Sequence, residues 1–525
     1  MYSALVLLLA TVSPAWSVFR LEPGAFMKLP DQLGRTTFDN GAANKADYDA
    51  EENFLYVIGY RADVMHVVNM ADPANPSLAA TKTFNKVNEG LPDSVKVCRG
   101  GINRDFLAVS FEAPKQTEHA HVHLYELLTP ATVNNDLVHL KDVVTLDSYD
   151  PKAMAWTPTC TQLVVISEGD PHEVNGVFTD PPGDVELLTP SFGYTVDRQS
   201  IPLHEDDLAT AGIRQVFHQC DSVTGSHPMP PQSSRKQDLE AKTVHVDQNS
   251  MAYIVFQENN AIAKYDLTDF SPDRKLQFFD LGTKDWGNYA LDGAYEDQAV
   301  ALEERPGLRS LYQPNSLVSF ELDGKTWLAT ADQGSIRRYT LATCRYDESV
   351  EGYDYVTAFG GRGFSIYDAD NMNRVYDSGD SLERYFVSGS ASQAEEAMFN
   401  AKVGTATSLQ TSQRDRASPE TGPTPSAIAV ADWSNSTKVL VIANGLYGGL
   451  YVYSVNSGPS VNFEGYIRRG NPAVSWRDAY DADGDGVGEP EITDLLYFSD
   501  EGQSTVVAVS SKAAALSFYR LVENP

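Results

Sequence analysis

The sequence is poor in positive charge. It has 40 Lys and Arg against 72 Asp and Glu, giving a formal charge of −32 and a pI near 4.6. Phosphate binding needs clustered cations, so this balance argues against a nucleic-acid partner. Cysteine is scarce too. The four residues Cys98, Cys160, Cys220 and Cys344 form no CxxC pair, so no zinc site is indicated. They fit two disulfides in an oxidising compartment. Similar places in successive repeats favour Cys98 with Cys160, and Cys220 with Cys344. After the first residues, no apolar run approaches the ~18 that span a bilayer. Residues 517–525 show none of the hydrophobic tail of a lipid anchor. GxSxG, HExxH and glycine-rich phosphate loops are all missing, which leaves catalysis without a motif. No long amphipathic helical pattern is found either.

What is present begins with a leader. Residues 4–10 are an apolar core, and the small residues Ala15 and Ser17 suit cleavage after Ser17. The expected organisation is a signal peptide at 1–17 and one domain at 18–525, secreted and without a membrane span. Hydrophobic residues make up 42% of the chain, enough for a large core. The acidity either keeps a secreted protein soluble or suits cations and cationic or mineral surfaces.

Short β-prone runs repeat from Tyr48 onward. The stretch 355–386 reads as strand, Gly360-Gly361-Arg362-Gly363 turn, strand, acidic turn, strand, with a tight hairpin joining 355–359 to 364–367. Comparable hairpins are expected at 55–68, 107–125, 163–187, 252–267, 326–340, 439–455 and 506–521. First strands precede most of them, near Tyr48 and at 94–97, 153–156, 242–246, 316–321, 427–431 and 492–498. The repeat is irregular, about 40 to 65 residues, unlike a consensus array. The predicted fold is all-β: a β-propeller of seven blades, or eight if 316–380 divides in two. Residues 18–29 are expected to supply the last strand of the final blade and close the ring, which removes exposed sheet edges. Insertions are expected near 203–238, 282–312 and 380–425, long enough to carry function.

The sharpest chemical motif is Asp481-Ala482-Asp483-Gly484-Asp485-Gly486-Val487-Gly488-Glu489. Asp481, Asp483 and Asp485, with glycine next, match the first half of a calcium loop. The Val487 carbonyl and Glu489 would add oxygens to the shell of six to eight that calcium prefers. Position 12 is Ile492, and no flanking helices are expected, so this is a DxDxDG loop and not an EF-hand. A solvated acidic turn is the plain alternative. Glu168, Asp170, Glu258 and Asp332 sit at equivalent hairpin tips, which share one rim of a propeller and suggest a second cation site; turn formation alone also explains them. His119, His121 and His123 alternate along one strand, and spread over ~13 Å all three cannot share one metal without distortion, though a pair of them could. They read as the polar face of a blade. Arg362 reads as a brace for an adjacent acidic loop, Asp377 or Asp380. Asn435-Ser436-Thr437 is a glycosylation sequon.

Several stretches carry a family resemblance: FQENNAIAKYDL at 256–267, the segment 358–384 with AFGGRGFSIYDA and VYDSGD, DLATAGIR at 207–214, SEGDP at 167–171 and YQPNS at 312–316. The chain resembles the mesenchyme-specific cell-surface glycoproteins of echinoderm skeleton-forming cells and the related bacterial choice-of-anchor I domain. The resemblance implies a propeller-like fold and an extracellular role in calcium-based biomineralisation. It implies no catalytic residues. Two departures remove carboxylates: Gly422-Pro423-Thr424-Pro425-Ser426 replaces the family's Gly-Pro-Glu-Pro-Glu, and Gly445-Leu446-Tyr447-Gly448-Gly449 replaces an acidic turn. The expected function is therefore a secreted, calcium-binding matrix glycoprotein that acts by ion binding and adhesion to mineral or matrix components. The alternative is a calcium-dependent extracellular hydrolase of the phosphatase- or lactonase-like propeller type.

Overall fold

Runs such as Phe54–Gly59 and Leu163–Ser167 are buried at every position, the pattern of a strand covered on both faces. Ser77–Thr83 is half-buried to exposed, and Val196–Ser200 is largely exposed. Buried middles and exposed edges are what a radial stack of sheets produces. The computed structural model describes residues 18–524 apart from 101–104, 139–142, 171, 175–176, 192–194, 216–233, 272–273, 296–299, 336–355, 483 and 501.

Seven four-stranded antiparallel sheets form a β-propeller. Their first strands are Lys45–Asp49, Leu91–Arg99, Pro151–Trp156, Ala241–Val246, Ser316–Leu322, Pro425–Ser434 and Ile492–Asp500, for blades 1 to 7 in order. Neighbouring first strands pack side by side, and that of blade 7 returns to that of blade 1. Blade 7 is completed by the N-terminal strand Phe19–Lys28, which pairs with Ala515–Glu523 from Phe19 opposite Glu523 to Lys28 opposite Ala515. The expected seven blades and their closure are thus present.

The hydrophobic clusters lie between adjacent blades. At one seam Ala427, Val441 and Val452 of blade 6 share a cluster with Ile492, Val506 and Leu21 of blade 7. Blade 7 meets blade 1 through Val507, Leu516, Leu55 and Val64. Burying one such side chain contributes roughly 1.5–3 kcal/mol, so the ring is held by many modest blade-to-blade contacts.

Blade 5 corrects the hairpin expected at 355–367. Its second strand Lys325–Asp332 pairs with Gly363–Asp368, with Trp327 opposite Asp368. Val356–Ala358 instead runs parallel to Leu308–Leu311, outside the blade. The glycine-rich turn is where a long excursion returns. Gly360 has φ +84°, and a Cβ there would lie 2.7 Å from the Gln333 carbonyl oxygen. One enlarged blade, not two, therefore occupies 316–380.

The insertions are tied down by buried cations. Arg362 does not reach Asp377 or Asp380. Its guanidinium donates to the Asp292 carbonyl at 2.8 Å, to Glu383 Oε1 at 3.1 Å and to the Ser418 carbonyl at 2.5 Å. Lys284 takes Asp377 at 3.0 Å, and Asp380 pairs with the exposed Arg384 four residues on. Helices are short; among the described residues none is long and apolar enough to cross a membrane. Cys98 and Cys160 form a disulfide joining blades 2 and 3. Cys220 and Cys344 lie outside the described residues, as does the segment 1–17.

Candidate functional site

Blade 3 builds an acidic cluster from strand register. Asp150 immediately precedes the first strand, and Glu168 immediately follows the second strand, Leu163–Ser167. Pro151 lies opposite Ser167, and the Glu168 amide donates to the Asp150 carbonyl at 3.0 Å. Antiparallel pairing thus sets the two carboxylates side by side. Asp170 joins them through Gly169, where a Cβ would lie only 2.1 Å from the Pro181 carbonyl oxygen. The Gly169 amide donates to Glu240 Oε2 at 2.9 Å, anchoring the turn to blade 4, and the Tyr149 hydroxyl donates to the Asp170 carbonyl at 2.6 Å. Asp150, Glu168 and Asp170 each offer a carboxylate oxygen, all within 4.8 Å of one another.

The cluster is largely dry. Asp150 and Glu168 are only 5% and 6% exposed. Burial pushes the Asp150 carboxyl up to about 7, against the pull of Lys152. Burial also pulls on the Lys152 ammonium, but Asp150 and Glu168 outweigh it and hold its pKa well above the ordinary value. Lys152 Nζ lies 2.7 Å from Asp150 and 3.1 Å from Glu168. The protein therefore supplies its own resident cation, and a metal ion would bind by displacing this ammonium or sharing its ligands.

A second cluster lies nearby in the same blade. Asp147, Asp184 and Glu186 also place oxygens within 4.8 Å of one another. Arg198 answers them at 2.6 Å from Asp147 and 3.5 Å from Glu186. Burial pushes Glu186 up to about 7. Residues of both clusters, Glu168, Asp147 and Asp184, border one cleft of about 380 Å³ together with His119 and Tyr149. Carboxylates are hard oxygen donors, suited to calcium or magnesium over softer metals.

The other expected site residues have separate environments. Glu258 accepts from the Ser335 hydroxyl at 3.0 Å. Asp332 is buried in blade 5, accepts from Thr330 at 2.7 Å and Ser365 at 2.6 Å, and is pushed up to about 7 by burial. Neither belongs to an acidic group of three among the described residues. Asp481 is the exposed last residue of a short helix, Trp476–Asp481, which was not expected beside the loop. Asp485 lies 3.0 Å from Arg469. Val487 and Glu489 are buried, and Glu489 accepts from the Tyr519 hydroxyl. Asp483 lies outside the described residues. His119 donates from Nδ1 to the Leu146 carbonyl at 2.9 Å, whereas His123 is buried beside Phe111, with ring centroids 4.5 Å apart. Asn435 sits in an exposed turn.

Sequence reasoning found Glu168 and Asp170 but missed Asp150, Asp147, Asp184 and Glu186. A usable signal existed. In an antiparallel pair the residue before one strand meets the residue after the next, which couples Asp150 to Glu168 once both strand ends are drawn.

Residues 44–352 and 338–458 match the Choice-of-anchor I domain. Gigasin-3a of Magallana gigas is 27% identical over 181 residues, covering 33% of this chain and 61% of that protein, less than two thirds of its length. Among solved structures, Raptor of Chaetomium thermophilum aligns with a TM-score of 0.48 at 8% identity, over 96% of this chain and 30% of that one. Virginiamycin B lyase of Staphylococcus aureus aligns with a TM-score of 0.42 at 8% identity, over 96% of this chain and 100% of that one. With more than half of its length matched by the family's sequence pattern, the chain belongs to the Choice-of-anchor I domain family.

Proposed function

We propose that this chain is a secreted propeller that binds calcium on its acidic loops and acts in calcium-based biomineralisation through ion binding and adhesion. The convergence of Asp150, Glu168 and Asp170 carries the reading. Three carboxylates offer up to six hard oxygens, near the number calcium takes. The 481–489 loop is proposed as a second calcium site, through Asp481, Asp483, Asp485, the Val487 carbonyl and Glu489, in competition with Arg469. An extracellular setting is supported by the Cys98–Cys160 disulfide, the exposed sequon at Asn435 and the leader read at 1–17. The family resemblance supports the mineral role, and the charge of −32 suits a calcium-bearing surface.

Calorimetry with calcium tests this. Binding in the ~10⁻⁴–10⁻³ M range of extracellular modules is expected. Asp150→Asn with Glu168→Gln and Asp170→Asn should remove the blade 3 component. Asp481→Asn with Asp483→Asn and Asp485→Asn should remove the other. No binding at millimolar calcium overturns the proposal. The cleft beside the acidic clusters is the one observation favouring a hydrolase, and calcium-dependent turnover of a nitrophenyl phosphate or a simple lactone would decide for that reading.

A further inference from the structure

The outer seam between blades 6 and 7 holds a second cleft, of about 490 Å³, within the size range of small-ligand sites. The Trp433 ring lines it, with the polar groups of Asn456, Asn462, Glu464 and Glu523. Phe463 borders the cleft from the outermost strand, but its ring turns to the other face of the blade, against Tyr453 and Tyr385 with centroids 5.2 and 5.7 Å away. Trp433 is held in place: its indole N–H donates to Glu523 Oε2 at 3.1 Å, and it packs edge-on to Phe19 with centroids 5.2 Å apart. The sequon lies at the edge of this cleft. Asn435 and Ser436 form the turn between Pro425–Ser434 and Thr437–Asn444, Ser434 lies opposite Thr437, and both of these flanking residues line the cleft.

We infer that the cleft is the docking site for the first N-acetylglucosamine units of a glycan on Asn435. The inference rests on the reading of Asn435-Ser436-Thr437 as an occupied sequon. A pyranose has an apolar C–H face and a rim of hydroxyl and acetamide groups. An aromatic ring packs against the first, and side-chain amides and carboxylates bond the second. Attachment at the turn raises the sugar's effective concentration to the millimolar range, so a weak contact suffices, and the fixed Trp433 ring lowers the ordering cost. The occupant would also cover the start of the closing strand, where the Val18 and Phe19 backbone N–H groups donate to Glu464 Oε2 at 2.7 and 3.3 Å. The glycan thereby seals the seam at which the ring closes.

The test uses full-length protein secreted from a eukaryotic host, with occupancy of Asn435 read by mass spectrometry. Thermal unfolding is compared for the intact glycoform, the form trimmed enzymatically to a single N-acetylglucosamine, and Asn435→Gln. The glycoform should melt ~1–3 °C above Asn435→Gln, and the trimmed form should retain most of that gain. Trp433→Leu and Asn462→Ala should each abolish the difference between glycosylated and unglycosylated protein; Asn462→Ala, at an exposed position, guards against Trp433→Leu disturbing the fold. Equal melting of the glycoform and Asn435→Gln, or a gain that survives both cleft variants, overturns docking alone. An unoccupied Asn435 overturns the sequon reading and docking with it.

Discussion

Lys152→Met separates a metal site from a lysine-held acidic cluster. The substitution keeps the stem of the side chain and removes the charge that lies 2.7 Å from Asp150 and 3.1 Å from Glu168. Removing one partner of a buried pair costs about 3–5 kcal/mol; since the Lys152 side chain keeps 23% exposure, the lower end, ~3 kcal/mol, is expected. Calcium then acts by mass action. With a Kd of ~10⁻³ M, ~10 mM calcium stabilises the unsubstituted protein by about 1.4 kcal/mol. Without its competing ammonium, the variant should bind about tenfold more tightly, and the same calcium should then return ~2.7 kcal/mol. Urea unfolding in a chelator and in ~10 mM calcium, with sodium chloride at matched ionic strength as control, reads both quantities. The reasoning fails if the variant gains no more from calcium than the unsubstituted protein. The three acids would then serve Lys152 alone.

Three further outcomes are expected of the same structure. A carboxyl raised to about 7, as at Asp150 and Glu186, keeps its proton in the folded protein from near pH 4 up to about 7, so its contribution to stability falls as pH rises through that window; calcium needs the ionised form, and its stabilising effect should be larger at about pH 8 than at about pH 6, by thermal unfolding with and without the ion. His66 and His245 are both lowered by burial to about 4, so each should cost up to about 3 kcal/mol as pH falls from ~6.5 toward ~4, and His245→Gln should flatten the acid limb of a stability–pH curve. Arg362→Met leaves Glu383 buried without its cation and should destabilise by ~3–5 kcal/mol in urea, with part of the loss recovered when Glu383→Leu is added.

The sequence by itself determined the class of fold and favoured seven blades, while the structure excluded eight. Its Val-, Ile-, Tyr- and Phe-rich runs are strands because such side chains pack on a pleated surface, and seven first strands favoured seven sheets over the eight that the hairpin count allowed. It also marked Phe19–Lys28 as a leftover strand whose natural place is the open edge beside Ala515–Glu523. Glu168 and Asp170 were legible because they are neighbours in a single turn.

Only the tertiary structure decided which groups meet. Period-two alternation says which face a side chain takes, not which strand lies beside it. The run at 356–358 is as strand-like as any other, yet it pairs with Leu308–Leu311 and leaves Gly363–Asp368 to the blade. Asp150 reaches Glu168 through register. Arg362 finds Glu383 because two insertions fold back over blade 5. Lys152, two residues from Asp150, and Arg198, on the strand that pairs with that of Glu186, became resident cations within blade 3 itself. Partners such as Arg362 and Glu383, or the Gly169 amide and Glu240, are brought together by packing between segments far apart in the chain, which leaves no local periodic trace.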